Sequence, residues 1–320
     1  MDIMRVFLVT GGAGFIGSHI AETLVQRGDR VRVLDNLSTG HRSNLDGFGN
    51  KLEFIEGDLL EADTVAGAVA GVDCIFHEAA LASVPRSIEH PLDTHAACLT
   101  GTLILLEAAR RAGVRRVVYA GSSSAYGDQP TSSKRETDLP APISPYAAAK
   151  LAAEHYCRAF TATYALETVV LRYFNVFGPR QDPNSPYSAV IPLFITAMLS
   201  GSQPTIFGDG RQSRDFSFVA NVVRANLLAA DAPGVAGRVF NIANGKNTDL
   251  LTLVEILNRL LGTSVEPRHA PARVGDVRES LADITQARKL LCYEPAVDFE
   301  EGLRRSIAYY RSLVGKEKRT

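Results

Sequence analysis

The segment FLVTGGAGFIGSHIAETLV, residues 7–25, constrains the fold more than any other part of the chain. An apolar run that reads as a buried strand passes through Gly11, Gly14 and Gly17 into a helix-period pattern, and a second strand, RVRVLD, ends in Asp35. Glycine at these points allows a tight turn, lets the backbone approach a pyrophosphate at the helix N-terminus, and lets helix and strand pack closely. A carboxylate at Asp35 can accept both adenosine ribose hydroxyls and repels a 2′-phosphate, so NAD is expected rather than NADP. Arg42 nearby weakens that preference slightly, and Asp35 can also be read as a turn-former before NLSTG. Asp58, in IEGDL at the end of the next strand, either reaches toward adenine or caps a helix.

Further strands follow in DCIFHEA, RRVVYAG and ETVVLRYF, with helix-like segments between them. This βαβα order, with near-continuous Val/Ile/Leu strands, calls for an α/β fold: a Rossmann-type, doubly wound parallel sheet covered on both faces. From about Gly178 the chain becomes turn-rich and its strands shorten. The expected division is therefore a dinucleotide-binding domain over residues 1–177 and a smaller α+β substrate lobe over 178–320, with some later segments returning to the first sheet.

The 34 basic and 35 acidic residues leave a net charge of −1, with no basic run to mark a nucleic-acid or membrane surface. The four cysteines, Cys74, Cys98, Cys157 and Cys292, have no CxxC spacing, which argues against a disulfide framework or a zinc knuckle and for a reducing, cytoplasmic home. His90 and His95 flank Asp93 in HPLDTH without helical ligand spacing, so no metal site is expected. No signal peptide is read at the N-terminus, and no apolar stretch approaches the roughly 18 residues of a membrane span.

Tyr146 and Lys150 in SPYAAAK stand four apart on an expected helix, hence on one face. A free phenol is a poor base at neutral pH, and a neighbouring ammonium stabilises the phenolate; lowering its pKa by about 3 units takes about 4 kcal/mol. Taken alone the pair reads better as an ordinary exposed helix pair; taken with the dinucleotide site and the serines that follow, it does not. The strand RRVVYAG, however, ends in three hydroxyls, Ser122, Ser123 and Ser124, and His77 at another strand end reads as a structural hydrogen-bonder.

Taken together, TGGAGFIG, HEAA, YAGSSSAYG, SPYAAAK, LRYFNVFGPR, SRDFSFV and GDVRESLADI resemble, in order, the extended short-chain dehydrogenase/reductase family, and within it the nucleotide-sugar 4-epimerases. The resemblance implies catalytic roles for Tyr146 as base, Lys150 as the residue that lowers its pKa and holds the nicotinamide ribose, and Ser122 as proton relay. It implies cofactor contacts at Gly11, Gly14, Phe15, Ile16, Gly17, Asp35, Asn36, Asp58, Leu59, Ala79, Ala80 and Tyr173, besides Tyr146 and Lys150. Implied substrate contacts are Ser83, Ser122, Ser123, Ser124, Asn175, Ala189, Val190, Phe207 on uracil, Arg214 and Arg273 on a diphosphate, Asp276, and Ser280. Cys98 stands where the family usually carries Asn in NxxGT, and it reads as packing. Helices at about Asp93 to Arg111 and Pro145 to Tyr164 resemble those that pair subunits, which implies a homodimer.

Related 4,6-dehydratases and uronic-acid decarboxylases resemble one another in placing an acid just after the catalytic Ser/Thr. Ser123 and Ser124 stand there instead, so the site is equipped for one proton exchange and one hydride exchange, as in epimerisation with tightly bound NAD. By the same resemblance to the 4-epimerases, Ser280 falls where a gate on the sugar pocket is expected, and a serine there would leave room for an N-acetyl group. The expected substrates are UDP-N-acetylglucosamine and UDP-N-acetylgalactosamine, with UDP-glucose and UDP-galactose also accommodated. A UDP-glucuronate 4-epimerase and a net NAD-dependent oxidoreductase are the alternatives, while the joint presence of Ser122, Tyr146 and Lys150 counts against a non-catalytic NAD-sensing module.

Overall fold

The computed structural model describes residues 5–129, 131, 133–183, 189–272 and 278–317, with side chains of the last helix described to residue 313. The first half runs β1 (Val6–Thr10), α1 (Phe15–Arg27), β2 (Arg30–Asp35), β3 (Leu52–Glu56), α2 (Ala62–Val69), β4 (Cys74–His77), α3 (Val84–Glu89), α4 (Pro91–His95), α5 (Gly101–Ala112), β5 (Arg116–Ser122), α6 (Pro145–Tyr164) and β6 (Glu167–Tyr173). The second half runs β7 (Val176–Phe177), α7 (Val190–Leu199), β8 (Thr205–Phe207), β9 (Ser213–Asp215), β10 (Ser217–Phe218), α8 (Val219–Asp231), β11 (Arg238–Ile242), β12 (Asn247–Asp249), α9 (Leu250–Leu261), β13 (Arg268–Ala270), β14 (Glu279–Ser280), α10 (Thr285–Leu291) and α11 (Phe299–Glu317).

A seven-stranded sheet, ordered β11-β6-β5-β4-β1-β2-β3, pairs in parallel throughout. Successive residues of each strand serve opposite faces. Phe7, Val9, Val33, Phe76, Val118 and Leu171 join one core, and Leu8, Leu34, Ile75, Val117, Tyr119 and Val170 the other. Helices α1 and α8 pack on the first face and α2, α5 and α6 on the second, so strands buried on both sides carry few polar residues. The chain winds outward from β1 to β3 and then from β4 to β6, so the order reverses between β1 and β4. The crevice at their C-terminal ends is where ligands bind in such sheets.

β11 and α8 come from the second half of the chain yet complete the large sheet and its cover. The remaining small strands form a β12-β9-β14 sheet and the pairs β13-β8 and β10-β7. The helix expected at about Asp93 to Arg111 is present and continuous, with α4 passing through a single π turn at Ala96–Thr100 into α5. Within it Thr102 Oγ1 donates to the Cys98 carbonyl oxygen, so a side chain competes with the regular ladder there. Among the described residues no helix is long and apolar enough to cross a membrane.

Candidate active site

The glycine turn is shaped by what surrounds it. Gly11 has a φ of 68°, and a Cβ there would lie 2.6 Å from the backbone nitrogen of Ala79; a Cβ on Gly17 would collide with the Gly11 carbonyl oxygen. α1 starts at Gly14 with no side-chain cap and no acid in its first turn, where Phe15 and Ile16 stand, so its positive end suits an anion. Asp35 is buried at the end of β2, its Oδ2 accepting from the Ala13 amide at 2.9 Å and its Oδ1 from the Leu37 amide at 2.8 Å. Each oxygen retains a lone pair for a ribose hydroxyl. Asn36 Nδ2 donates to Asp58 Oδ2 at 2.6 Å, while Asp58 Oδ1 accepts from the Leu60 amide. The residue preceding α2 is Glu61, so Asp58 closes a turn rather than capping that helix. The Arg42 guanidinium lies 3.8 Å from the Phe54 ring centroid, and buried Leu59 packs on Gly101. With Ala79 and Ala80 across the crevice, these residues fit a dinucleotide.

Ser144 caps α6 by accepting from the Ala147 amide, and Pro145 occupies its first turn, which sets Tyr146 and Lys150 one turn apart. Lys150 is buried; its Nζ donates to the Ala120 carbonyl oxygen at 2.9 Å and lies 4.8 Å from the Tyr119 ring centroid. Burial lowers its pKa, opposed by Cys98, Glu78 and Cys157. The Tyr146 phenol is pushed up, by burial first and then by Cys98 and Glu78, with a hydrogen bond from Ser122 pulling the other way. This departs from the depression expected from a neighbouring ammonium: loss of hydration, reinforced by Cys98 and Glu78, outweighs the Ser122 hydrogen bond. Ser122 and Ser124 hydroxyls stand 2.8 Å apart, and Ser123 continues the short 3₁₀ turn after β5.

Behind these residues His77 Nδ1 is 2.7 Å from Thr10 Oγ1 and Nε2 is 2.9 Å from Thr102 Oγ1. Because Thr102 gives its proton to the Cys98 carbonyl, Nε2 must donate and Nδ1 accept, which assigns the tautomer. Burial lowers the His77 pKa to about 3, so the ring is neutral and structural. Tyr173 donates to Glu78 Oε1 at 2.8 Å and accepts from Asn226 Nδ2 at 2.7 Å. Glu78 was not singled out by sequence reasoning, although an acid directly after an apolar strand at the sheet's C-terminal edge was a visible signal.

A cavity of about 560 Å³ lies in the second half of the chain, lined by Asn175, Ala189, Val190, Phe207 and Arg214 together with Gln203, Thr205, Gln212 and Phe216. Asn175 has a φ of 35°, rare for a side-chain-bearing residue, and its Nδ2 donates to the Asp215 carbonyl oxygen. Ser280 pairs with Arg214 across β14 and β9. Ser83 caps α3, accepting from the Arg86 amide at 3.1 Å, and with Ser122, Ser123 and Ser124 it is not part of this cavity's lining. Arg273 and Asp276 lie outside the described residues. Gln203, Thr205, Gln212 and Phe216 were not found from sequence, since their apposition depends on the pairing of β8 with β13 and of β9 with β12 and β14. Among the described residues no cluster of three or more His, Cys, Asp or Glu could hold a metal.

Residues 7–243 match a family model described as the NAD dependent epimerase/dehydratase family. A UDP-glucose 4-epimerase of Mycolicibacterium smegmatis is 40% identical over 311 residues, covering 95% of this chain and 98% of that protein. The structure of a UDP-N-acetylglucosamine 4-epimerase from Methanobrevibacter ruminantium, in complex with UDP-N-acetylmuramic acid, is 41% identical with a TM-score of 0.93, covering 98% of this chain and 100% of that one. A UDP-glucuronic acid 4-epimerase from Bacillus cereus, bound to UDP-glucuronic acid and NAD, is 31% identical with a TM-score of 0.89, covering 97% and 100%. Likeness of this extent along whole chains, over a crevice built for a dinucleotide, means that this protein belongs to the NAD-dependent epimerase/dehydratase family and uses NAD as its cofactor.

Proposed function

We propose that the protein is an isomerase, a UDP-sugar 4-epimerase, whose preferred pair is UDP-N-acetylglucosamine and UDP-N-acetylgalactosamine. The observation that carries the reading is the hydroxyl cluster beside the phenol: Ser122 bonds Ser124 and acts on Tyr146, with no acid in the positions after Ser122. Bound NAD supplies the acceptor and the donor of the sugar's C4 hydrogen. Tyr146 and Ser122 take the proton of the 4-hydroxyl and return it. Lys150 holds its ammonium under β5 by the Ala120 carbonyl, one turn from that phenol. The cavity at Phe207 and Arg214 takes the nucleoside diphosphate, where arginine's fork suits phosphate oxygens. Anchored there, the sugar can turn one face and then the other toward the crevice.

Ser280, half-buried and in register with Arg214, supports the N-acetyl preference, since a small residue leaves space beside the diphosphate end. The same reading includes a homodimer formed through α5 and α6; Tyr156 and Tyr164 of α6 are exposed. Separate incubations with UDP-N-acetylglucosamine, UDP-glucose and UDP-glucuronate, followed by identification of the products, test the function. Conversion of the N-acetyl sugar without added cofactor is the expected result. Exclusive conversion of UDP-glucuronate, or a strict need for an added reductant, overturns it.

A further inference from the structure

Glu78 stands one residue past β4, on the crevice where the sheet order reverses. Its amide donates to the Thr10 carbonyl oxygen at 3.1 Å, and its backbone lies against Gly11, so it is tied to the turn that receives the cofactor's phosphates. On its other side the carboxylate accepts a hydrogen bond from the Tyr173 hydroxyl, and Asn226 of α8 donates to that same hydroxyl. The titratable groups facing it are Lys150 and Tyr146 from α6 and Tyr173 from β6; His77 beside it is neutral, and α8 presents the uncharged Asn226. Glu78 is thus a carboxyl held between the phosphate turn and the Tyr146–Lys150 pair, with no role in the proton exchange described above. Burial pushes its pKa up to about 7, while Tyr173 and Lys150 favour its charged form. The charge is present on the alkaline side of neutrality and lost on the acid side.

An oxidised nicotinamide ring is cationic and a reduced one is neutral. A fixed carboxylate beside the ring therefore favours the oxidised form. We propose that Glu78 biases the site toward the oxidised cofactor through its charge, acting at the nicotinamide end of the crevice and favouring return of the hydrogen to the sugar. This rests on the proposed function and on the family resemblance, which implies that Lys150 holds the nicotinamide ribose. Tyr173 and Asn226 are the positioning partners that hold the carboxylate there.

The test is a competition titration between oxidised and reduced dinucleotide on the full chain, followed by the fluorescence of the reduced form. Glu78→Gln keeps the volume and an oxygen for Tyr173 but removes the charge. At about pH 8.5 the wild-type preference for the oxidised form is expected to exceed that of Glu78→Gln by about tenfold, and at about pH 5.5 the two proteins converge. Tyr173→Phe, which removes the hydrogen bond and leaves the charge, is expected to keep the preference and move its midpoint upward. The same pH dependence in Glu78→Gln as in the wild type overturns the proposal. Loss of the preference in Tyr173→Phe at high pH also overturns it, by assigning the effect to the hydrogen bond. If neither dinucleotide binds, the cofactor placement itself fails and the proposal with it.

Discussion

The Ser122 and Ser124 hydroxyls are hydrogen-bonded at 2.8 Å, and the Ser124 amide points to the same Ser122 oxygen at 3.2 Å. Ser124 therefore orients the hydroxyl that acts on Tyr146. Replacing Ser124 by Ala removes one neutral hydrogen bond and is expected to lower kcat about threefold to tenfold, with KM little changed. Ser122→Ala is expected to lower kcat by about 10²-fold or more. Steady-state kinetics on the two variants checks the order; equal losses would place Ser124 in the proton exchange itself.

Tyr146→Phe keeps the ring and removes the acid/base group. Turnover is expected to fall by about 10²–10⁴-fold while the cofactor stays bound. Product analysis at long times, alongside a cofactor assay of the purified variant, measures both; near-normal turnover would move the base elsewhere.

His77 makes stability depend on pH. Its folded pKa is depressed to about 3 from 6.5, so between those values the unfolded chain binds more protons and stability falls as pH drops. From about pH 7 to about pH 5 this one ring is expected to cost about 2 kcal/mol. Urea unfolding at both pH values, for wild type and His77→Gln, should show the smaller decline in the variant. Equal declines would mean that the ring is not held neutral.

Gly17→Ala drives a methyl group into the Gly11 carbonyl, a backbone atom that cannot swing aside. The expected cost is about 1–3 kcal/mol of stability together with weaker dinucleotide binding. Thermal melting with and without NAD separates the two effects.

Ser280→Tyr places a ring beside Arg214. Turnover of UDP-N-acetylglucosamine is expected to fall about tenfold or more relative to UDP-glucose, the scale on which pockets discriminate by size. Comparison of kcat/KM for the two sugars decides it, and an unchanged ratio would remove Ser280 as the gate.

Much of the cofactor crevice was legible because it is local. Gly11, Gly14, Gly17 and Asp35 lie within one βαβ unit, where short-range sterics dictate residue type, and Tyr146 and Lys150 needed only a helix, begun by Ser144 and Pro145, to share a face. The substrate cavity was legible only in part. Asn175, Ala189, Val190, Phe207 and Arg214 were named through resemblance, whereas Gln203 and Gln212 carried no pattern of their own.

The sequence by itself determined the parallel sheet and the glycine turn, because hydrophobic periodicity and backbone sterics act between near neighbours along the chain. Tertiary structure alone decided the electrostatics. It buried Tyr146 so that its phenol rises, and it turned Lys150 toward Ala120. It also brought Tyr173 and Asn226 to Glu78 from distant segments. Charge energies depend on distance and on how much water is excluded, and neither quantity is written in residue spacing.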